Sequence, residues 1–407
     1  MSTTQTTTDK EDDSNNVCFY QGNELLGGDK PLEAIKQKIS ELSNVKNVSF
    51  LLGAGTSSGS IPSMKVMYKE ISEEIESSTV LNEKSKKLYA NVDKDNLEDV
   101  LNILYANKDY LNGSKDTESD DKEAVNALVK YIENEMFSKI NIDLTEKSPA
   151  ETLNIYKRLY QKVALRNKDL SRACVFTTNN DLFNEKALDN LNINYNNGFG
   201  GGIEKVFNPA RFHYTFSKKI DANLEKFEPL ENMVYLYKLH GSISWVEKEG
   251  NSLFNIQETP VDYGSKKSNS DHVLIYPTPL KQSQSLGSPY SDLIREFQTK
   301  LAQPNSVLFI IGYSFSDEHL NNIIYQTMAS NSAISVVIFG EYSECPLVKI
   351  NDSRIYRIYG KTESDEKIHY FDYIVDNFLP NSDENKEKTL LDQFASALKT
   401  ATDVETA

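Results

Sequence analysis

The chain has 407 residues, 39% hydrophobic and 10% aromatic, enough to build one large α/β domain with an insertion or two to three average domains. A formal charge of -16 argues against a surface that binds nucleic acid or acidic membrane as a whole, leaving only a local basic patch open. Cys18, Cys174 and Cys345 are widely spaced and form no C-x-x-C pair, which excludes a four-cysteine zinc site, disfavours a disulfide framework and fits a reducing cytosol.

Residues 1–16, rich in Ser, Thr, Gln and Asp, have almost nothing to bury and read as a disordered tail. There is no signal-peptide core and no run of about eighteen apolar residues, so the expectation is a soluble cytoplasmic protein without membrane contact. Asp29-Lys30-Pro31 opens a helix in which Leu32, Ile35, Ile39 and Leu42 recur at helical spacing. VSFLL, Val48–Leu52, then reads as a buried strand feeding GAGTSSGSIP, Gly53–Pro62. Missing β-carbons in such a turn let backbone N–H groups approach a nucleotide phosphate. The pattern is not G-x-G-x-x-G, because Ser58 stands at the third glycine position, and no second strand ends in an acid where a dehydrogenase needs one.

From Met64 to about Arg166 the periodicity is helical. Leu97, Val100, Leu101 and Leu104 share one face, Val125, Leu128, Val129 and Ile132 another, and Leu153, Tyr156, Leu159 and Tyr160 a third. The stretch Asn107–Asp121 reads as an exposed loop. The whole segment, about 64–166, is expected to be a helical subdomain inserted after the first strand. Glu98-Asp99 reads as a solvated helix start, with reach into a cleft as the alternative.

Arg172–Asp181, RACVFTTNND, is the pivotal stretch: a short apolar strand that ends in five polar side chains. Asp181 also reads as the cap of the next helix, and Asn179-Asn180 as the turn before it. LNINY, Leu191–Tyr195, is a further strand, followed by NNGFGGGIEKVFNPARFHYTF, read as either a mobile loop that closes over a ligand or a surface loop. MVYLYKL, Met233–Leu239, runs into His240-Gly241-Ser242, where His240 suits either a structural hydrogen bond or catalysis. His272–Tyr276 is the next strand, and PTPLK after it would bring Lys281 toward the same place. SVLFII, Ser306–Ile311, ends in GYSFSD, Gly312–Asp317, before a helix carrying Leu320, Ile323, Ile324 and Met328. AISVVIF, Ala333–Phe339, ends at Gly340-Glu341.

Strands ending in Gly53, Thr177, His240, Gly312 and Gly340 alternate with helices, which predicts a Rossmann-like, doubly wound parallel α/β sheet. Ligands of such sheets bind in the crevice beyond the carboxyl ends of the strands. Arg354–Tyr359 and Ile368–Leu379 read as edge strands, closing a main domain over 17–380, and 381–407 as a polar helical tail.

Taken as an ordered set, GAGTS, TTNND, LHGS and GYSFSD resemble the sirtuin NAD-binding fold over roughly Asn44–Gly340. GAGTSSGSIPSM is similar to the sirtuin GAGIS...GIP loop, one residue shorter, which implies that Gly53, Ala54, Gly55 and Ser57 lie along the pyrophosphate and ribose. TTNND is similar to T-Q-N-I-D, which implies Asn179 as the catalytic asparagine and Asp181 as partner of the nicotinamide amide. LHG implies His240 as the catalytic histidine, and GYSFSD implies Gly312, Ser314 and Asp317 on the adenosine side. Thr177 and Gly340, at strand ends on the same rim, complete the NAD-contacting set. The chain departs from the deacetylases in lacking both C-x-x-C pairs of their zinc ribbon, in having Ser63-Met64-Lys65 for D-F-R, and in its helical insertion. In these respects it resembles the sirtuin-like proteins of bacterial anti-phage defence. That resemblance implies hydrolysis of NAD to nicotinamide and ADP-ribose, homo-oligomers, and a partner such as a HerA-type ATPase or an Argonaute-like protein.

Cleaving the nicotinamide–ribose bond builds positive charge on the sugar, so the site must stabilise an oxocarbenium-like state and hold water behind it. In the expected scheme Asn179 orients ribose and water, His240 takes a proton, Asp181 holds the carboxamide and the Gly53 turn the diphosphate, with no metal. The rivals are NAD-dependent protein deacylation, whose peptide groove the missing zinc ribbon disfavours, and a non-catalytic NAD or ADP-ribose sensor. A nuclease would need a compact carboxylate cluster, which the sequence does not supply.

Overall fold

The computed structural model describes residues 17–94, 96–114, 119–164, 166–167, 169–221, 225–248, 255–263, 272–274 and 289–381. The expected N-terminal tail, Lys281 and the expected helical tail after residue 381 lie outside the described residues.

A nine-stranded sheet forms the centre. Its strands are β1 (Cys18–Gln21), β2 (Glu24–Leu25), β3 (Asn47–Leu52), β4 (Ala173–Thr177), β5 (Asn194–Asn196), β10 (Met233–Lys238), β14 (Ser306–Ile311), β15 (Ile334–Phe339) and β16 (Ile355–Tyr359). They lie in the order β2-β1-β16-β15-β14-β3-β4-β10-β5, and all neighbours are parallel except the β1–β16 and β1–β2 pairs at one edge. The expected α/β architecture, a doubly wound and mostly parallel Rossmann-like sheet, is therefore the one observed. Strands buried on both faces must be apolar throughout, and every residue of β3, β4 and β14 is buried.

Alternate side chains of β14 serve two different cores. Val307, Phe309 and Ile311 point into one, with Ile35 and Ile39 of α1 (Pro31–Ser43), Tyr156 and Leu159 of α6 (Lys147–Val163), and Phe183 and Leu188 of α7 (Phe183–Asn190). Leu308 and Ile310 point into the other, with Leu293 and Phe297 of α8 (Tyr290–Leu301) and Leu320 and Ile324 of α9 (Glu318–Ser330). At about 1.5–3 kcal/mol for each fully buried aliphatic side chain, these two layers supply most of what opposes chain entropy.

The helical insertion follows the turn that leaves β3 and comprises α2 (Met64–Ser77), α3 (Glu83–Ala90), α4 (Leu97–Gly113) and α5 (Ser119–Ile140), packed on a core of their own around Ile71, Leu101, Leu128 and Ile132. The helix α6, which sequence periodicity assigns to the same subdomain, belongs to the main core, because its apolar face meets α7 and the sheet. The expected loop at Asn107–Asp121 is mostly helix: α4 continues to Gly113, with Leu111 against the subdomain core, and α5 begins at Ser119. Asp99 stands in the first turn of α4, which Asn96 caps: Asn96 Oδ1 accepts the Asp99 N–H while the Asp99 carboxylate accepts from Asn96 Nδ2.

Three smaller corrections concern the remaining segments. The glycine-rich stretch after Asn196 forms β6 (Phe199–Gly200), β7 (Lys205–Phe207) and a 3-10 turn at Pro209–His213, pinned by Phe199, Phe207, Phe212 and Trp245. Four aromatic rings anchor it, so it is not a free loop, and it contributes nothing to the cavity described below. β8 (Ser217–Asp221) and β9 (Lys226–Pro229) form a separate hairpin, and β11 (Gly241–Glu247), β12 (Ile256–Glu258) and β13 (His272–Leu274) join β6 and β7 in a five-stranded antiparallel sheet. Ile368–Leu379 is no strand: Phe371, Ile374, Val375 and Phe378 are buried at helical spacing over a short turn of π-helix.

Because the insertion has its own core, Leu128→Ala should cost about 2–5 kcal/mol of subdomain stability, with faster hydrogen exchange confined to α2–α5. Exchange that rises equally in β3 and β14 would show one shared core instead.

Candidate active site

The strand order places four turns side by side. β14, β3, β4 and β10 are consecutive neighbours, so the segments leaving their carboxyl ends, GYSFSD, GAGTS, TTNND and LHG, meet above one rim. From β3 the chain proceeds to β4 and β10 on one side and later to β14, β15 and β16 on the other, a topological switch point.

The turns are brought together by glycine. A β-carbon on Gly55 would lie 2.7 Å from Gly312 Cα, and one on Gly53 would lie 2.5 Å from Tyr313 Cα. Gly312 itself has φ +64, and a β-carbon there would lie 2.7 Å from Thr56 N. Gly55 N–H donates to Gly312 O at 2.9 Å, Thr56 N–H to Gly53 O and Gly53 N–H to Ile311 O. These glycines thus join two backbones rather than leaving all their amides open to a phosphate.

A cavity of about 310 Å³ lies over this junction. Ala54, Gly55, Ser57, Asn179, Asp181, His240, Ser314 and Asp317 line it, so eight of the residues named from sequence share one space. Gly53, Thr177, Gly312 and Gly340 do not line it. Gly53 and Gly312 lie beneath it as just described, and Gly340 adjoins the Tyr342 ring, which packs on Phe315. Thr177 Oγ1 donates to Leu52 O and accepts from Asn179 N–H, which fixes the turn from below.

The orientation of Asn179 follows from proton accounting. Thr56 Oγ1 donates to Gly53 O at 2.8 Å and Ser57 Oγ donates to Asp181 Oδ2 at 2.9 Å. With both hydroxyl protons committed, these oxygens can only accept, so the Asn179 amide nitrogen must face them, at 3.1 and 3.2 Å. Tyr156 OH, at 2.7 Å from Thr56 Oγ1 and 3.0 Å from Ser57 Oγ, closes the network. Asn179 Oδ1 meets no protein donor among the described residues, and its residue lines the cavity.

His240 is fixed in a similar manner. Its Nε2 lies 3.0 Å from Asp317 Oδ2, while Asp317 Oδ1 accepts the His319 and Leu320 N–H groups as the cap of α9. A carboxylate only accepts, so the proton sits on Nε2 and Nδ1 is the nitrogen left to take one. Asn180 Nδ2 donates to His240 O at 2.6 Å and ties the two turns together. Asp181 is almost wholly buried, and burial pushes its carboxyl above the ordinary carboxylate range, opposed by the Lys238 ammonium. Burial likewise raises the Tyr156 phenol far above its usual value.

The opposite wall comes from the insertion and was not foreseen. Met64 and Met67 of α2, Met136 and Ile140 of α5, and Ile61 and Pro62 make it apolar. Three of the chain's six methionines stand there, the residue type best able to adapt to varied ligand shapes. Tyr156 was also missed, and Thr56, Asn180 and Tyr313 lie within the motifs read from sequence but were given no role at the site. Only Lys238, a lysine within the apolar strand before His240, carried a local signal. Among the described residues no group of three His, Cys, Asp or Glu side chains is placed to hold a metal ion, and no helix is long and apolar enough to cross a membrane.

Gly312→Ala should destabilise the protein by about 1–3 kcal/mol in urea denaturation, because the new methyl group meets backbone that cannot yield. Wild-type stability would contradict the glycine junction.

No curated protein matches the chain. Among solved structures, it is similar to a Sir2 homologue mutant in complex with ADP-ribose, at 12% identity and a TM-score of 0.37, over 86% of this chain and 98% of that one. Residues 173–354, which hold the Asn179 turn, His240 and Asp317, match the family model of the SIR2-like domain.

Proposed function

We propose that this protein is an NAD+ hydrolase that cleaves the nicotinamide–ribose bond to give nicotinamide and ADP-ribose. The observation that carries the reading is the pairing, on one cavity, of an amide oxygen and an imidazole nitrogen that have no protein partners among the described residues. Asn179 Oδ1 would accept from a ribose hydroxyl and from the attacking water, aligning both with the anomeric carbon. His240 Nδ1 would take the proton released as the bond to water forms, and the Asp317 carboxylate would balance the imidazolium. Asp181 would accept from the carboxamide of the departing nicotinamide, and the Ala54–Ser58 side would face the diphosphate. NAD enters this scheme as substrate, and no step calls on a metal.

The match to the SIR2-like domain over 173–354 supports NAD as the ligand. Use of the activity in anti-phage defence by NAD depletion, assembly as a homo-oligomer, and work with a HerA-type ATPase or an Argonaute-like protein are parts of the same proposal. They explain how a cell tolerates the enzyme: the lone chain is held inactive or slow until it is assembled.

Purified protein incubated with NAD, with and without a candidate partner ATPase and with and without an acylated peptide, should release nicotinamide without peptide, slowly alone and faster once assembled. Asn179→Ala and His240→Ala should each lower release by about a hundred to ten-thousandfold while the protein stays folded. Asp317→Asn, which keeps an oxygen for the α9 cap, should lower it by about tenfold or more. Release that requires the peptide would make the protein a deacylase, and NAD binding without release would make it a sensor.

A further inference from the structure

Beneath the cavity lies a charge pair that the scheme above does not use. Lys238, the last residue of β10, is 1% exposed, and its Nζ donates to the backbone carbonyl of Asp181. The Glu185 carboxylate, in the first turn of α7 and 7% exposed, has Oε1 3.1 Å from the same Nζ. Neither Glu185 oxygen has a well-aligned hydrogen bond, so the ammonium is aimed at the Asp181 carbonyl and Glu185 serves as its counter-ion. Burial raises the Glu185 carboxyl above its ordinary range, and Lys238 opposes that rise.

Such a pair is costly to bury and gives little stability over a well-packed apolar substitute, so its retention next to a candidate site calls for another account. The neighbouring Asn180 is already tied to the His240 turn, its Nδ2 donating to His240 O and Gly241 O, whereas Asp181 is tied there through its backbone by Lys238. Asp181 is held through its side chain by Ser57 Oγ and Phe183 N–H, and Ile243 N–H reaches Asn180 O. The Lys238 bond is the one that joins the carbonyl of Asp181 to β10, two residues before His240.

We propose that Lys238 and Glu185 are positioning residues: the buried ammonium, neutralised by Glu185, holds the Asp181 turn in register with His240. The inference rests on the reading given under Proposed function for its catalytic consequence, and on geometry alone for the turn. It makes a specific division. Removing both charges with volume kept should spare global stability and loosen one turn.

The test is Lys238→Met/Glu185→Leu in the full chain. Its thermal midpoint should stay near that of the wild type. Hydrogen exchange of residues 178–183 in ligand-free protein should rise about tenfold, with the rest of the sheet unchanged. The kcat for NAD cleavage should fall about a hundredfold with KM changed much less, because a displaced Asp181 carboxylate misorients the departing nicotinamide while the rest of the dinucleotide is still bound. If the double variant does not fold, Lys238→Gln, whose shorter amide can still donate to Glu185, should show the same local change. Wild-type protection of residues 178–183 in whichever variant folds overturns the proposal. Wild-type protein that does not cleave NAD either alone or assembled with its partner would reject the function above, and the exchange measurement would still decide the positioning role.

Discussion

Two neighbouring parallel strands, β3 and β14, continue past the sheet edge in contact, and only residues without β-carbons allow it. Gly53 and Gly55 lie against Gly312 and Tyr313 at distances that a methyl group could not occupy. That contact sets how far apart the GAGTS and GYSFSD segments stand, and hence the separation between the Ser57 hydroxyl and the Asp317 carboxylate across the cavity floor. Since Asp317 holds His240, and Thr56 and Ser57 hold Asn179, the two groups assigned to chemistry inherit their placement from a backbone junction.

The polar groups around that junction are arranged with directionality. Hydroxyl protons point away from Asn179, towards Gly53 O and Asp181, and a helix-capping carboxylate points towards His240 Nε2. In a buried region each donor must find an acceptor, so filling the network from below determines which atoms are left for the cavity. An amide oxygen and an imidazole nitrogen are what remains. Burial and charge oppose each other on Asp181: removal from water raises its carboxyl, the Lys238 ammonium opposes that rise, and Ser57 keeps the side chain hydrogen-bonded.

The insertion turns a rim into a cavity. Sheet and turns alone would leave the Asn179 side open, and α2 and α5 close it with methionine and isoleucine. Its core is separate from those on the sheet, so wall and floor belong to different packing units. Relative motion of the two would change the cavity without disturbing the hydrogen bonds that orient Asn179 and His240.

The parallel strands and the order of the four motifs follow from local pattern alone. Short, unbroken apolar runs rich in β-branched and aromatic residues, such as SVLFII, suit a strand buried on both faces, and a polar cluster directly after such a run emerges at its end. Asn179, Asp181, His240 and Asp317 were legible for that reason. The tertiary structure alone decided what each of them touches. Tyr156 reaches Thr56 across about a hundred positions of chain, and Met136 reaches the cavity from a helix whose periodicity shows only that it has a buried face. It also decided the role of the glycines, which sequence assigned to a phosphate and packing assigned to a neighbouring backbone. Local pattern reports which face of an element is buried, whereas the partner on that face depends on strand order and helix placement, which contacts distant in sequence select.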